Sequence, residues 1–169
     1  MAERKTVYKG FWVWDFEKEE RWLNEMAMDG WALVGVGWCR YTFERCEPGE
    51  YIVRLEMHGQ DEGYVAFMQE TGAEYVGRCL QWIYFRKRAE AGSFDLFSDI
   101  DSRVAHLERI EKSLFLIGMA NLLIGVANGL SGGTRVGILN LLVCTLLMYG
   151  LGRIRGKKEE LEKERQLRE

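Results

Sequence analysis

Nine side chains of this sequence combine aromatic area with paired charge at the spacing of β-strands: Trp12, Trp14, Arg40, Glu44, Arg54, Glu56, Trp82, Tyr84 and Arg86. Alternation along candidate strands places them, with Thr42, on one face of a sheet. Two carboxylates on neighbouring strands, Glu44 and Glu56, are what a general acid–base pair would need. Arg40 and Arg54 fall on the same face, and cross-strand ion pairing is the commoner use of such a quartet. No G-x-S-x-G, P-loop, H-E-x-x-H or Gly-rich dinucleotide motif occurs. Enzymatic activity is therefore not expected. Trp and Arg together suit binding, because aromatics supply area and Arg supplies orientation. The face fits a pocket for a hydrophobic or cationic small molecule, or a flat surface for a protein partner. Packing of these aromatics on the N-terminal arm, on loops or on a second copy of the chain is equally open.

Metal and cofactor chemistry find little support. The four cysteines, Cys39, Cys46, Cys79 and Cys144, form no C-x-x-C pair, and there are two histidines. Reduced thiols in a cytosolic head and a membrane helix are the expectation, with no metal and no cofactor. Charge is uneven. Residues 1–113 hold 15 Lys and Arg against 21 Asp and Glu, a net of −6, so direct nucleic-acid binding is not expected. Met1–Tyr8 has no apolar run of the signal-peptide kind.

The elements that must position the face read as follows. Val7–Trp14 predicts a strand. Asp15–Asp29 predicts an amphipathic helix capped by Asp15, with Phe16, Glu20, Leu23 and Ala27 on one stripe and Gly30 as its stop. Trp31–Val36 and Cys39–Cys46 predict strands, with a bend at Gly35 and Gly37. Glu47-Pro48-Gly49-Glu50 predicts a type II turn, which would join Cys39–Cys46 to a strand at Glu50–Met57 as an antiparallel hairpin. Asp61–Thr71 predicts a second helix stopped by Gly72. Glu74–Arg78 and Leu80–Arg88 predict two more strands.

A shift of 42 residues lays Met26 on Met68, Gly30 on Gly72, Val34 on Val76, Gly35 on Gly77 and Phe43 on Phe85. It also lays Phe11 and Val13 on Val53 and Leu55. The fold class expected is α+β: an antiparallel sheet of about six strands built from a duplicated strand–helix–strand–strand unit, with two helices on one face, followed by a two-helix transmembrane hairpin. Phe11, Val13, Tyr41, Phe43, Val53, Leu55, Ile83 and Phe85 would form the core.

After the head, Phe94-Asp-Leu-Phe97 is apolar enough to dock on it. Ser98 or Asp99 can cap a helix that runs into the first of two apolar stretches, and His106 in that helix is expected at a surface or interface. Leu114–Leu130 and Val136–Leu151 are joined by a short turn, and Arg135 is the only charge from Ser113 to Gly152. Two such runs predict adjacent membrane spans; a soluble helical hairpin buried against another protein is the alternative. Arg109 and Lys112 precede the pair, and Arg153, Arg155, Lys157 and Lys158 follow it. The positive-inside rule then puts both termini in the cytoplasm, at the inner membrane. Gly125 and Gly129 let another helix come close, and Asn121, Asn128 and Asn140 should hydrogen-bond between helices. Whether this holds one hairpin together or a homo-oligomer is open. The domain plan is 1–92 for the cytoplasmic head, 93–112 for a juxtamembrane amphipathic helix, 113–152 for the hairpin and 153–169 for a charged, frayed tail.

Three runs carry a family resemblance: Trp22-Leu-Asn-Glu-Met-Ala, Asp29-Gly-Trp-Ala-Leu-Val and Tyr41-Thr-Phe-Glu-Arg-Cys-Glu-Pro-Gly-Glu-Tyr. With Tyr84-Phe-Arg-Lys, Leu96-Phe-Ser-Asp and Ser102-Arg103 they make residues 7–112 resemble the bacterial domain-of-unknown-function family 2812, membrane-anchored members included. One departure is Ala73, where Trp is expected after the second helix-stopping glycine, as at Trp31 after the first. The family has no established activity. The resemblance implies context instead: members are often encoded beside winged-helix repressors of the PadR type. A membrane-tethered binding or regulatory module that modulates such a repressor is thus the first functional expectation. The duplicated unit also resembles the ligand-binding domains of the gyrase-inhibitor-like group, which cradle small molecules between repeats. A small-molecule sensor is the second.

Overall fold

Gly30 and Gly72 both adopt positive φ, 80° and 85°, and each follows the last turn of a helix. The computed structural model describes residues 3–59, 61–97 and 99–168, the side chain of Arg168 apart. Its chain divides into two units at 98/99. The first holds β1 (Arg4–Tyr8), α1 (Phe16–Met28), β2 (Trp31–Gly37), β3 (Arg40–Arg45), β4 (Tyr51–Met57), α2 (Glu62–Glu70), β5 (Glu74–Cys79) and β6 (Trp82–Arg88). The strand–helix–strand–strand unit is used twice. Both copies carry the same β-bulge, between Leu33 and Gly35 in β2 and between Tyr75 and Gly77 in β5.

The six strands form two three-stranded antiparallel sheets, ordered β1-β3-β2 and β4-β6-β5. The last strand of each unit is thus the central one. This corrects the expected hairpin. The turn at Pro48-Gly49 does form, with Gly49 at φ 76° and Glu50 N–H donating to the Glu47 carbonyl at 3.1 Å. It links two sheets, however, and does not pair its flanking strands. A tight turn fixes only the local reversal, and β3 already has partners on both edges.

The first strand is also shorter and earlier than expected. β1 ends at Tyr8, and Val13–Asp15 is a single 3₁₀ turn whose Asp15 makes no capping bond to α1. Thr42 and Tyr84 are 42 residues apart, but their strand partners Thr6 and Leu55 are 49 apart. Phe11 and Val13 therefore have no strand equivalents in the second copy. The first copy carries an extra segment between its strand and its helix.

Leu23 and Ala27 of α1 are fully buried, as are Leu33, Phe43 and Val53. The expected core residues Tyr41, Leu55, Ile83 and Phe85 are buried as well, while Phe11 and Val13 are half-buried. A second cluster holds Met68, Ala73, Ile83, Phe85 and Phe94, so Phe94 and Leu96 do dock on the head. The inner edges β2 and β5 meet. Arg86 donates across them to the Leu33 carbonyl at 3.0 Å, and a Cβ on Gly77 would come within 3.2 Å of Val36.

The outer edge of β4 is closed by α1. Asn24 donates Nδ2 to the Val53 carbonyl and accepts from Val53 N–H, both at 2.9 Å. Glu20 accepts from Leu55 N–H at 3.3 Å and pairs with Arg54 at 3.3 Å. These side chains stand where another strand would add, which seals an edge otherwise open to aggregation.

The second unit is α3 (Ile100–Leu130) and α4 (Thr134–Arg168). Asp99 caps α3 in a reciprocal capping box with Ser102, whereas Ser98 lies outside the described residues. Both helices are long and apolar enough to cross a membrane. Leu116, Ile117, Leu123, Ile138, Leu139 and Leu142 are exposed on their surface. The small residues serve the hairpin itself: a Cβ on Gly137 would lie 2.9 Å from the Gly125 carbonyl and 3.0 Å from the Gly129 nitrogen. The expected bridges by Asn121 and Asn140 do not form. Each donates to the carbonyl one turn back in its own helix, Ile117 and Val136. That acceptor is the nearest one, since it lies one turn back on the same helix. His106 is buried rather than at a surface, and burial, with Arg109, lowers its pKa to about 3, so it stays neutral. The tail is helical and pairs back on α3 through Lys158–Glu108 and Arg165–Asp101, at 2.8 and 2.9 Å.

Replacing Asn24 by Ala strips both bonds from Val53, leaving its amide unpaired and its carbonyl with Arg54 alone. The expected loss is about 2 kcal/mol. It should appear as a lower urea midpoint with an unchanged slope.

Candidate functional site: an aromatic cavity closed by Glu19

The extra segment of the first copy builds one wall of a cavity. Phe11, Trp12 and Val13 come from it; Phe16 and Glu19 come from α1; Trp38 and Cys39 come from the β2–β3 turn. The second copy supplies Cys79, Leu80, Trp82 and Tyr84. The cavity holds about 150 Å³ and lies between the two repeats. Trp12 stacks on buried Trp14 at 5.1 Å, nearly parallel, and Phe16 leans on Trp82 at 5.6 Å. Phe11 meets Tyr41 edge-on at 6.4 Å.

Glu19 is the polar element. It is 8 % exposed, and its Oε1 accepts from the Tyr41 hydroxyl at 2.8 Å and from the Tyr84 hydroxyl at 2.6 Å. Among the described residues its other oxygen, Oε2, accepts no hydrogen bond, and no Lys, Arg or His pairs with Glu19. Burial raises its pKa above the ordinary carboxylate value, against the pull of the two hydroxyls. Burial, and then the charge of Glu19, push both tyrosines above their usual range, so they stay protonated donors. The same two causes raise Cys79.

Two cavity residues hold strained backbone. Cys39 and Leu80 have φ of 49° and 55°, the only positive values at non-glycine positions among the described residues. Both sit in two-residue hairpin turns that face the cavity. Such strain gathers where a fold holds loops around a ligand. Trp38, Leu80 and Trp12 form the mouth and are 74 %, 70 % and 56 % exposed.

Of the nine residues singled out by alternation, Trp12, Trp82 and Tyr84 converge here, with Trp14 behind Trp12. The others serve elsewhere. Arg54 pairs with Glu20, Glu44 with Arg4, and Arg86 with Glu74. Arg40 is exposed and Glu56 is buried in β4. Glu44 and Glu56 lie in separate sheets, so the hairpin that would have made them a pair is absent. Glu19 and Trp38 were not singled out. The helical stripe holds a signal for Glu19, since Phe16, Glu19, Leu23 and Ala27 are the buried residues of α1. Glu20, placed on that stripe by the sequence, instead turns to the β4 edge.

Residues 15–119 match the family described as a protein of unknown function, DUF2812. The chain belongs to this family. The matched span includes Glu19, Tyr41 and Tyr84 and begins after Phe11–Trp14, so the Trp12 wall stands outside it. No curated protein and no solved structure matches the chain.

Because its folded pKa is raised, Glu19 holds a proton more tightly in the folded than in the unfolded chain. Its contribution is then favourable below roughly pH 4 and is lost as pH rises through the raised value. Glu19→Gln should therefore be more stable than wild type at pH 7, and should lose less stability between pH 4 and pH 8. Glu20, also raised by burial, titrates alike in both proteins. Urea midpoints across that range test the difference.

Proposed function

We propose that this chain is a membrane-tethered receptor for a small apolar cation, a binding module and not an enzyme. One observation carries the reading: a buried carboxylate, with no cationic partner among the described residues, closes an aromatic cavity between two repeats. Aromatic faces attract a desolvated cation, and the carboxylate completes its charge. An apolar neutral ligand would leave Glu19 either charged and unpaired or protonated. An anion would meet the carboxylate at close range. The volume suits a single ring bearing an ammonium group.

The apolar hairpin supports the tether, and the cations at its two ends support a cytoplasmic placement of head and tail. The likeness of the duplicated unit to ligand-cradling domains agrees with a site between repeats. A PadR-type repressor as downstream partner rests on family context alone and draws on no residue of this cavity.

Benzyltrimethylammonium is a suitable probe, with neopentylbenzene as its neutral isostere. The full chain in detergent should bind the cation with quenching of Trp fluorescence, and should bind the isostere at least about tenfold more weakly. Glu19→Gln should erase that preference. Equal binding of both probes, or a preference unchanged by Glu19→Gln, contradicts the reading.

A further inference from the structure

Where the apolar runs end, α3 and α4 flank a cleft of about 430 Å³ lined by Glu108, Glu111, Lys112, Phe115, Arg155 and Lys158. Lys158 donates to Glu108 at 2.8 Å and lies 3.8 Å from Glu111. Arg155 donates its Nε to Glu111 at 2.7 Å. The hydrogen bond from Lys158 holds Glu108 below the usual carboxylate range, so both partners are charged. Lys158 also lies 3.9 Å from Glu162, so it is shared among three carboxylates and Arg155 pairs with Glu111, which leaves Lys112 as the remaining positive charge of the lining.

That charge is available. Among the described residues Lys112 makes no hydrogen bond or ion pair, and the two terminal nitrogens of Arg155 make no hydrogen bond. Lys112 is exposed, and Arg155 has 56 % of its side chain in solvent. One turn beyond Lys112, Phe115 is exposed and begins a run of exposed apolar residues with Leu116 and Ile117. The cleft thus spans the boundary between charged and lipid-like surface within one helix pair.

We infer that this cleft is a binding site for a phospholipid with one net negative charge. Its phosphodiester lies between Lys112 Nζ and the terminal nitrogens of Arg155, and an acyl chain runs along Phe115 onto the apolar face of the hairpin. The unpaired Lys112 supplies the positive charge that one phosphodiester requires. Glu108 and Glu111 accept from headgroup hydroxyls, which favours a glycerol over a choline headgroup. A choline would add a second cation beside Lys112. The site is separate from the Glu19 cavity and rests on the hairpin lying in lipid.

Native mass spectrometry of the full chain tests it, with phosphatidylglycerol against phosphatidylcholine of identical acyl chains. The expected result is one phosphatidylglycerol retained per chain at a concentration where phosphatidylcholine is not. Lys112→Gln and Arg155→Gln should each weaken retention about fivefold, and millimolar inorganic phosphate should not displace the lipid. Lys112→Gln breaks no ion pair, so its folding is not at stake. Equal retention of both lipids, retention unchanged in both variants, or displacement by inorganic phosphate would overturn the proposal. Extraction of the chain from membranes by alkaline carbonate would overturn it too, whereas the test of the Glu19 cavity would be unaffected.

Discussion

A carboxylate held between two tyrosines joins the halves of the head. Tyr41 is on β3 and Tyr84 on β6, the central strands of the two sheets, and both donate to one oxygen of Glu19. The same helix grips the edge of β4 through Asn24 and Glu20. α1 therefore belongs to the first repeat by sequence but hydrogen-bonds to both, to β3 through Tyr41 and to β4 and β6 through Asn24, Glu20 and Glu19. Burying an acid without a counter-charge is unfavourable, and the rest of the fold offsets it. Residues that lower stability in this way are common where a ligand completes a site.

The duplication explains why the cavity lies where it does. Two copies of one unit meet along β2 and β5, and a gap forms where the copies differ. The extra segment after β1 has no counterpart after β4, and it brings Phe11, Trp12 and Val13 over the gap. The second face of the sheet predicted for Trp82 and Tyr84 is therefore buried under that segment and α1.

Much of this was legible in the sequence, for reasons that can be named. The repeat showed because Gly30 and Gly72 take positive φ, and because glycine recurs at the two bulges, Gly35 and Gly77. The hairpin showed because Arg135 is alone among forty residues. Strand pairing did not show, since Pro48-Gly49 specifies a turn and not the partner strands. Glu19 did not show as a site because an acid in the first turns of a helix has a sufficient local explanation in the helix dipole. Its burial comes from Tyr84, 65 residues away. The glycines of the hairpin likewise left open what they touch until Gly137 was seen against Gly125 and Gly129.

Proton release on ligand binding tests the role of Glu19 most directly. Titration calorimetry of the full chain with benzyltrimethylammonium, in buffers of different ionisation enthalpy from pH 5 to pH 8, measures it. A carboxylate that exchanges its proton for a cation predicts release that is largest at low pH and fades as pH rises, with affinity falling as pH falls, and neither effect in Glu19→Gln. Binding without proton release across the range, or with the same profile in Glu19→Gln, would contradict the account.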